Sequence, residues 1–201
     1  GNEAKAWELT SNKLKLLPKV WESLDQQYVA WVVEQMRKQK LLDEALTMAF
    51  TVLLRETELD PAVAAQVSLT KGDIYRDKQN YQAARIEYEA LKANRRYKDT
   101  EAGQQAQYRL VELLILTKDY ATAESQLERL INSQNLRIQA EAFYLYAKMM
   151  FDQEEYKEAK RYLEKVKARV VNHVQAAFLE GELNLRLPGG LQYTEVPVGN
   201  P

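Results

Sequence analysis

Residues 71–88 read Lys71-Gly72-Asp73-Ile74-Tyr75-Arg76-Asp77-Lys78-Gln79-Asn80-Tyr81-Gln82-Ala83-Ala84-Arg85-Ile86-Glu87-Tyr88. Ile74 and Tyr75, then Tyr81, Ala84, Tyr88 and Leu91, recur at three- and four-residue spacing. That spacing gathers apolar side chains on one face of a helix instead of alternating them across a strand. Two helices joined by a short turn follow, with Gly72 on the first and Ala84 on the second small enough to let the backbones approach.

The same arrangement recurs along the chain. Leu42-Asp43-Glu44-Ala45, Tyr81-Gln82-Ala83-Ala84, Tyr120-Ala121-Thr122-Ala123 and Tyr156-Lys157-Glu158-Ala159 each open on a large apolar residue and close on alanine. Twelve positions before those alanines stand Val33, Gly72, Val111 and Ala147, and Gly181 follows at a comparable distance. The small position advances by 39, 39, 36 and 34 residues, while the offset within a pair stays fixed. The helix pair is therefore the rigid building block, and the extra residues fall between pairs, around Arg55–Pro61 and Asn94–Gly103, as longer second helices or looser connections.

Working outward, breakers are scarce: between Lys19 and Leu187 the chain has one proline, Pro61, and three glycines, Gly72, Gly103 and Gly181. The expected helix pairs are 26–39 with 41–56, 61–78 with 80–95, 101–117 with 119–132, and 136–152 with 154–168, followed by a single capping helix at 171–187. Asp60-Pro61 is a helix start, an acid capping the orphan amides ahead of a proline that fits the first turn. Residues 1–25, with Trp7, Leu14, Leu17 and Trp21, read as an N-terminal cap or the remnant of a preceding unit. Residues 188–201, from Pro188-Gly189-Gly190 to Pro201, read as an extended tail or linker.

These residues resemble the tetratricopeptide repeat, in Lys71-Gly72-Asp73-Ile74-Tyr75 with Tyr81, Ala84 and Tyr88, and in Ala147 with Met150, Tyr156, Ala159 and Leu163. The resemblance spans residues 26 to 187. It departs from the pattern in its long first steps and in lacking a proline at the end of the second helix. The resemblance implies an all-α superhelix, a solenoid of about four helix pairs plus the capping helix. It also implies a concave groove lined by first helices, at the residue three before the small position and the one after it. The first set is Ala30, Leu69, Tyr108, Tyr144 and Phe178; the second is Glu34, Asp73, Glu112, Lys148 and Glu182. An apolar and aromatic stripe then runs beside an acidic one broken at Lys148; either the aromatics are half-buried packing and the acids solvate the surface, or the groove is complementary to a basic amphipathic segment of a protein or peptide partner. The Lys, Asn and Arg clamp of the chaperone-tail binders has no counterpart at Ala30, Glu34 and Asp73.

Composition excludes much chemistry. The chain has no cysteine and a single histidine, His173, so thiolate metal sites, thiol nucleophiles and histidine triads are ruled out, and no metal or cofactor is expected. His173 reads as a surface or capping residue at a helix start. The three interior glycines are isolated, which removes phosphate-cradling loops. Carboxylate pairs such as Asp43-Glu44 and Glu154-Glu155 fall at turns, where solvent keeps them ordinary acids.

Lys plus Arg at 28 against Asp plus Glu at 29 gives no basic field for nucleic acid. Lys165, Lys167 and Arg169 complement the dipole at a helix end. No apolar run reaches the ~20 residues that cross a bilayer. The expectation is a scaffold or interaction module without catalysis, with a structural spacer or accessory subunit as the alternative. The first residue, Gly1, is consistent with a fragment or a processed product. Family analogy favours a bacterial periplasmic or envelope setting over the cytoplasm.

Overall fold

The computed structural model describes residues 25–187. The proposed N-terminal cap, apart from Asp25, and the tail at 188–201 lie outside them. Among the described residues the chain is all-helical: α1 (Gln26–Lys38), α2 (Leu42–Leu53), α3 (Pro61–Asp77), α4 (Tyr81–Ala93), α5 (Glu101–Leu116), α6 (Tyr120–Ile131), α7 (Leu136–Asp152), α8 (Tyr156–Lys167) and α9 (Val174–Arg186), with a short 3-10 turn at Glu56–Glu58. The chain divides into two compact units, Gly1–Leu113 and Leu114–Pro201.

The repeat is written in the turns as well as in the core. Among the described residues, Lys40, Gln79, Lys118 and Glu154 are the non-glycine residues with positive φ, at 63°, 60°, 62° and 63°. Each stands five residues before its pair's alanine. At each turn the next amide donates back to the carbonyl five residues earlier, from Leu41 to Met36, Asn80 to Tyr75, Asp119 to Leu114 and Glu155 to Met150, all within 2.8–2.9 Å. One left-handed residue thus ends every first helix and reverses the chain. Asn80 and Asp119 then cap the second helix, accepting from the amides of Ala83 and Thr122.

In the first unit, α3 packs against α1 and α2 on one side and against its own second helix, α4, on the other. Val33, Ala45 and Ala84 are fully buried. The glycine at position 72 has a particular cause: a Cβ there would lie 2.5 Å from Tyr88 Cε1, because the tyrosine ring occupies that space. Tyr88 is itself fully buried and donates its hydroxyl to Asp73 Oδ1 at 2.7 Å.

The long steps of 39 residues are looser connections, not longer second helices. α2 stops at Leu53, and the 3-10 turn and the 94–100 loop dock on each other. Arg96 donates to the carbonyls of Glu56 at 2.7 Å and Leu59 at 2.6 Å, and the buried Tyr97 donates its hydroxyl to the Glu56 carboxylate. Thr100 starts α5 by accepting from the Gly103 amide at 3.0 Å. Gly103 passes so close to the Tyr97 carbonyl that a Cβ would meet it at 2.0 Å.

In the second unit, α7 and α8 form a pair, with Ala147, Ala159, Leu163 and Val166 in one core beneath Leu179 and Leu183 of α9. The last helix starts at Val174, three residues later than expected, because His173 is its N-cap: Nδ1 accepts from the Ala176 amide at 3.2 Å. The ring is not on the surface. It is 7% exposed, tilted against Tyr144 with centroids 4.9 Å apart, and its Nε2 stands 3.3 Å from a Glu141 oxygen. Since Nδ1 accepts, the ring proton of the neutral form sits on Nε2 and faces that carboxylate.

Candidate functional site

The two sets of expected groove residues meet different fates in the two units. In the first unit Ala30 is 7% exposed and Leu69 1% exposed, so both are core residues and neither presents a stripe to solvent. Tyr108 is half-buried on α5.

The acidic set of the first unit is engaged internally. Glu34 accepts two hydrogen bonds from Arg37, each 2.8 Å, and Arg37 reaches on to Asp77 at 2.7 Å. That hydrogen bond to Glu34, opposed by partial burial and helped by Asp73 and Asp77, raises the affinity of the Arg37 guanidinium for its proton. Asp73 is 5% exposed and receives Tyr88 at 2.7 Å, with Arg76 and Arg109 nitrogens each at 3.5 Å. Burial, then the Asp73 charge, pushes the Tyr88 phenol well above its usual range. Glu112 takes Arg109 at 2.9 Å and Arg76 at 3.7 Å. Asp73 is therefore a buried structural carboxylate and not an exposed steering charge. The sequence offered a sign of this in Glu34-x-x-Arg37, Asp73-x-x-Arg76 and Arg109-x-x-Glu112, pairs at the spacing that makes neighbours on a helix.

In the second unit the four expected residues come together. Tyr144 and Lys148 from α7, with Phe178 and Glu182 from α9, line one groove of about 370 Å³, joined by Phe151, Asp152, Val174 and Leu179. Tyr144 is held by the His173 ring at one end, and at the other the Arg186 guanidinium lies 4.7 Å from the Phe151 ring centre. Phe178 is 72% exposed, its ring presented to solvent. The Asp152 carboxyl is pushed up by partial burial, against the pull of Lys148 and Lys118. Phe151 and Asp152 escaped the sequence reading, because it counted from the small position and stopped one residue after it; they sit one turn further along α7.

The basic cluster at the end of α8 acts locally. Lys165 lies 4.4 Å from the Tyr162 ring centre and Arg169 4.4 Å from that of Phe143, so each cation is placed on an aromatic face of its own unit. The aromatics lie one turn back and on the neighbouring helix, where the linear sequence hides them. Among the described residues no group of three or more His, Asp or Glu could hold a metal ion. No helix among them is long and apolar enough to cross a membrane.

The fold and the groove thus define a class: an all-α helix-hairpin repeat with an apolar, weakly acidic groove between two first helices. Among solved structures, the chain is similar to a tetratricopeptide repeat protein from Parabacteroides merdae ATCC 43184, with a TM-score of 0.44 and 17% identity over 90% of this chain and 78% of that one. No protein-family model matches the chain, and no curated protein does.

Proposed function

We propose that the chain is a protein-interaction module without chemistry of its own, and that the groove between α7 and α9 seats an apolar side chain of a partner's peptide or helix. The observation that carries this reading is the convergence of Tyr144, Phe151, Phe178 and Leu179 with the carboxylates of Asp152 and Glu182 on one surface. An apolar anchor fits the aromatic floor, and basic residues beside it meet Asp152 and Glu182, with Lys148 setting the register. Apolar anchors flanked by charge are the usual grammar of groove recognition. The acids of the first unit are engaged with Arg37, Arg76 and Arg109, so steering falls to the second unit.

The test is a pull-down with the whole chain as bait, comparing wild type with Tyr144→Ala and with Asp152→Lys, the latter at an exposed position. A partner retained by wild type and released by both variants supports the groove. Equal retention by all three would move the binding surface elsewhere and leave the spacer reading in possession.

A further inference from the structure

The repeat register places Gly181 of α9 where Gly72 stands in α3, so Val174 and Phe178 correspond to Ala65 and Leu69. In α3 that face is closed: Ala65 and Leu69 are 0% and 1% exposed, and Tyr88 of α4 lies across Gly72. In α9 the same face is open. Val174, Phe178 and Leu185 are 79%, 72% and 69% exposed, and a Cβ at Gly181 would meet nothing within 4 Å. α9 packs on α7 and α8 through Ala176, Leu179 and Leu183, on its opposite side. The uncovered stretch around Gly181 is thus the one across which Tyr88 of the pair's own second helix lies at Gly72 in α3.

The occupant's chemistry can be read from the second helices already present. They carry large apolar or alanine positions at intervals of three, four and three, as in Tyr81, Ala84, Tyr88 and Leu91, or Tyr156, Ala159, Leu163 and Val166. The residue sixteen after the small position answers it in size: Tyr88 lies against Gly72, and Leu163 shares a core with Ala147. A glycine therefore calls for a tyrosine. The residue after the small position agrees, since the Tyr88 hydroxyl donates to Asp73 and the position after Gly181 is Glu182, a carboxylate one methylene longer. In residues 188–201 the matching positions are Gly190, Tyr193, Pro197 and Asn200, which do not supply this pattern.

We infer that the outer face of α9 is the seat for an amphipathic helix of a partner protein, which completes the last pair by laying a tyrosine across Gly181 with its hydroxyl on Glu182. This seat shares Val174, Phe178 and Glu182 with the rim of the α7–α9 groove but does not use Tyr144, Phe151 or Asp152, so the inference does not rest on the groove reading. Val174, Phe178 and Leu185 supply the apolar stripe, the missing Cβ of Gly181 the close approach, and Glu182 the polar selection of tyrosine over phenylalanine.

The probe is a fluorescein-labelled synthetic peptide of residues 79–94, the α4 helix with its Asn80 cap, titrated with the whole chain by fluorescence anisotropy. Saturable binding is expected, weakened at least about tenfold by Gly181→Leu, whose side chain closes the seat. The Gly181→Leu chain keeps its own fold, because that position is open in the free protein. A peptide with Tyr88→Phe should bind wild type about fivefold more weakly, with the difference vanishing on Glu182→Gln, as a shared hydrogen bond requires.

Tyr144→Ala, which damages the groove, should leave the peptide's affinity unchanged, so failure of one reading is separable from failure of the other. Three results would overturn the inference. They are no saturation below about 1 mM, binding indifferent to Gly181→Leu, and a wild-type chain that self-associates in sedimentation while Gly181→Leu stays monomeric, which would make the occupant a second copy.

Discussion

Adding one methyl group at Gly72 and at Gly181 should move stability in opposite directions. At Gly72 the new Cβ would stand 2.5 Å and 2.8 Å from Tyr88 Cε1 and Cδ1. The ring has no free direction, being fully buried with its hydroxyl fixed on Asp73, which Arg76 and Arg109 hold in turn. Overpacking of this kind costs about 1–3 kcal/mol. Swinging the ring away instead forfeits a hydrogen bond to a buried carboxylate, worth about 1.5–3 kcal/mol. The helix propensity of alanine over glycine returns about 1 kcal/mol, so Gly72→Ala should be destabilising by up to about 2 kcal/mol. At Gly181 nothing stands within 4 Å, the propensity acts alone, and Gly181→Ala should be stabilising by about 1 kcal/mol. Urea unfolding followed by circular dichroism measures both. Adding Tyr88→Leu to Gly72→Ala, which copies the Ala147 and Leu163 pair, should recover part of the loss. A Gly72→Ala chain as stable as Gly181→Ala would refute the register that equates these two positions.

The left-handed turn residues give a further prediction: Glu154→Gly should raise stability by up to about 1 kcal/mol in urea unfolding, because glycine removes the Cβ clash at φ 63°. In the first unit, burial and then the hydrogen bond to Glu56 push the Tyr97 phenol up to about 12, from an unfolded value near 10. The folded state holds that proton more tightly, so its share of stability is complete below pH about 10 and is lost as pH rises towards about 12. Tyr97→Phe should flatten that alkaline fall in a series of urea melts. In the groove, Asp152→Lys and Glu182→Lys should slow a basic partner's association and reduce its salt dependence, whereas Tyr144→Ala should mainly speed dissociation, as surface plasmon resonance at two salt concentrations would read.

Helix pairing was legible because it rests on short-range terms. Apolar spacing, the Asp60-Pro61 start and the recurring alanines each act within a turn or two, and the helix limits agree with them closely. The exceptions are instructive. α2 ends at Leu53 because Glu56 and Leu59 are claimed by Arg96 some forty residues later, and α9 starts at Val174 because His173 gives its ring nitrogen to a cap. The left-handed residues were not legible: none of Lys40, Gln79, Lys118 and Glu154 is the glycine or asparagine that marks such a turn, and only the backbone shows that they share a conformation.

The groove was half legible, for a reason that lies in how a first helix is buried. Counting from the small position finds the residue three before it, but not how far packing covers that residue: Leu69 is buried, Tyr144 half-buried and Phe178 exposed. Leu69 is covered and Phe178 is not, although the counting rule treats them alike. The acids divide by a similar logic. Glu34, Asp73, Asp77 and Glu112 are answered by Arg37, Arg76 and Arg109, leaving a net charge of about one held among ion pairs, and such pairs project little field beyond a Debye length of about 8 Å. In the α7–α9 groove Asp152 and Glu182 stand beside Lys148, with Lys118 also acting on Asp152, and the apolar walls of Tyr144, Phe151 and Phe178 screen less than water does. The proposed steering therefore belongs to carboxylates set against apolar walls in the second unit and not to the longer acidic run of the first, whose members are already bound to Arg37, Arg76 and Arg109.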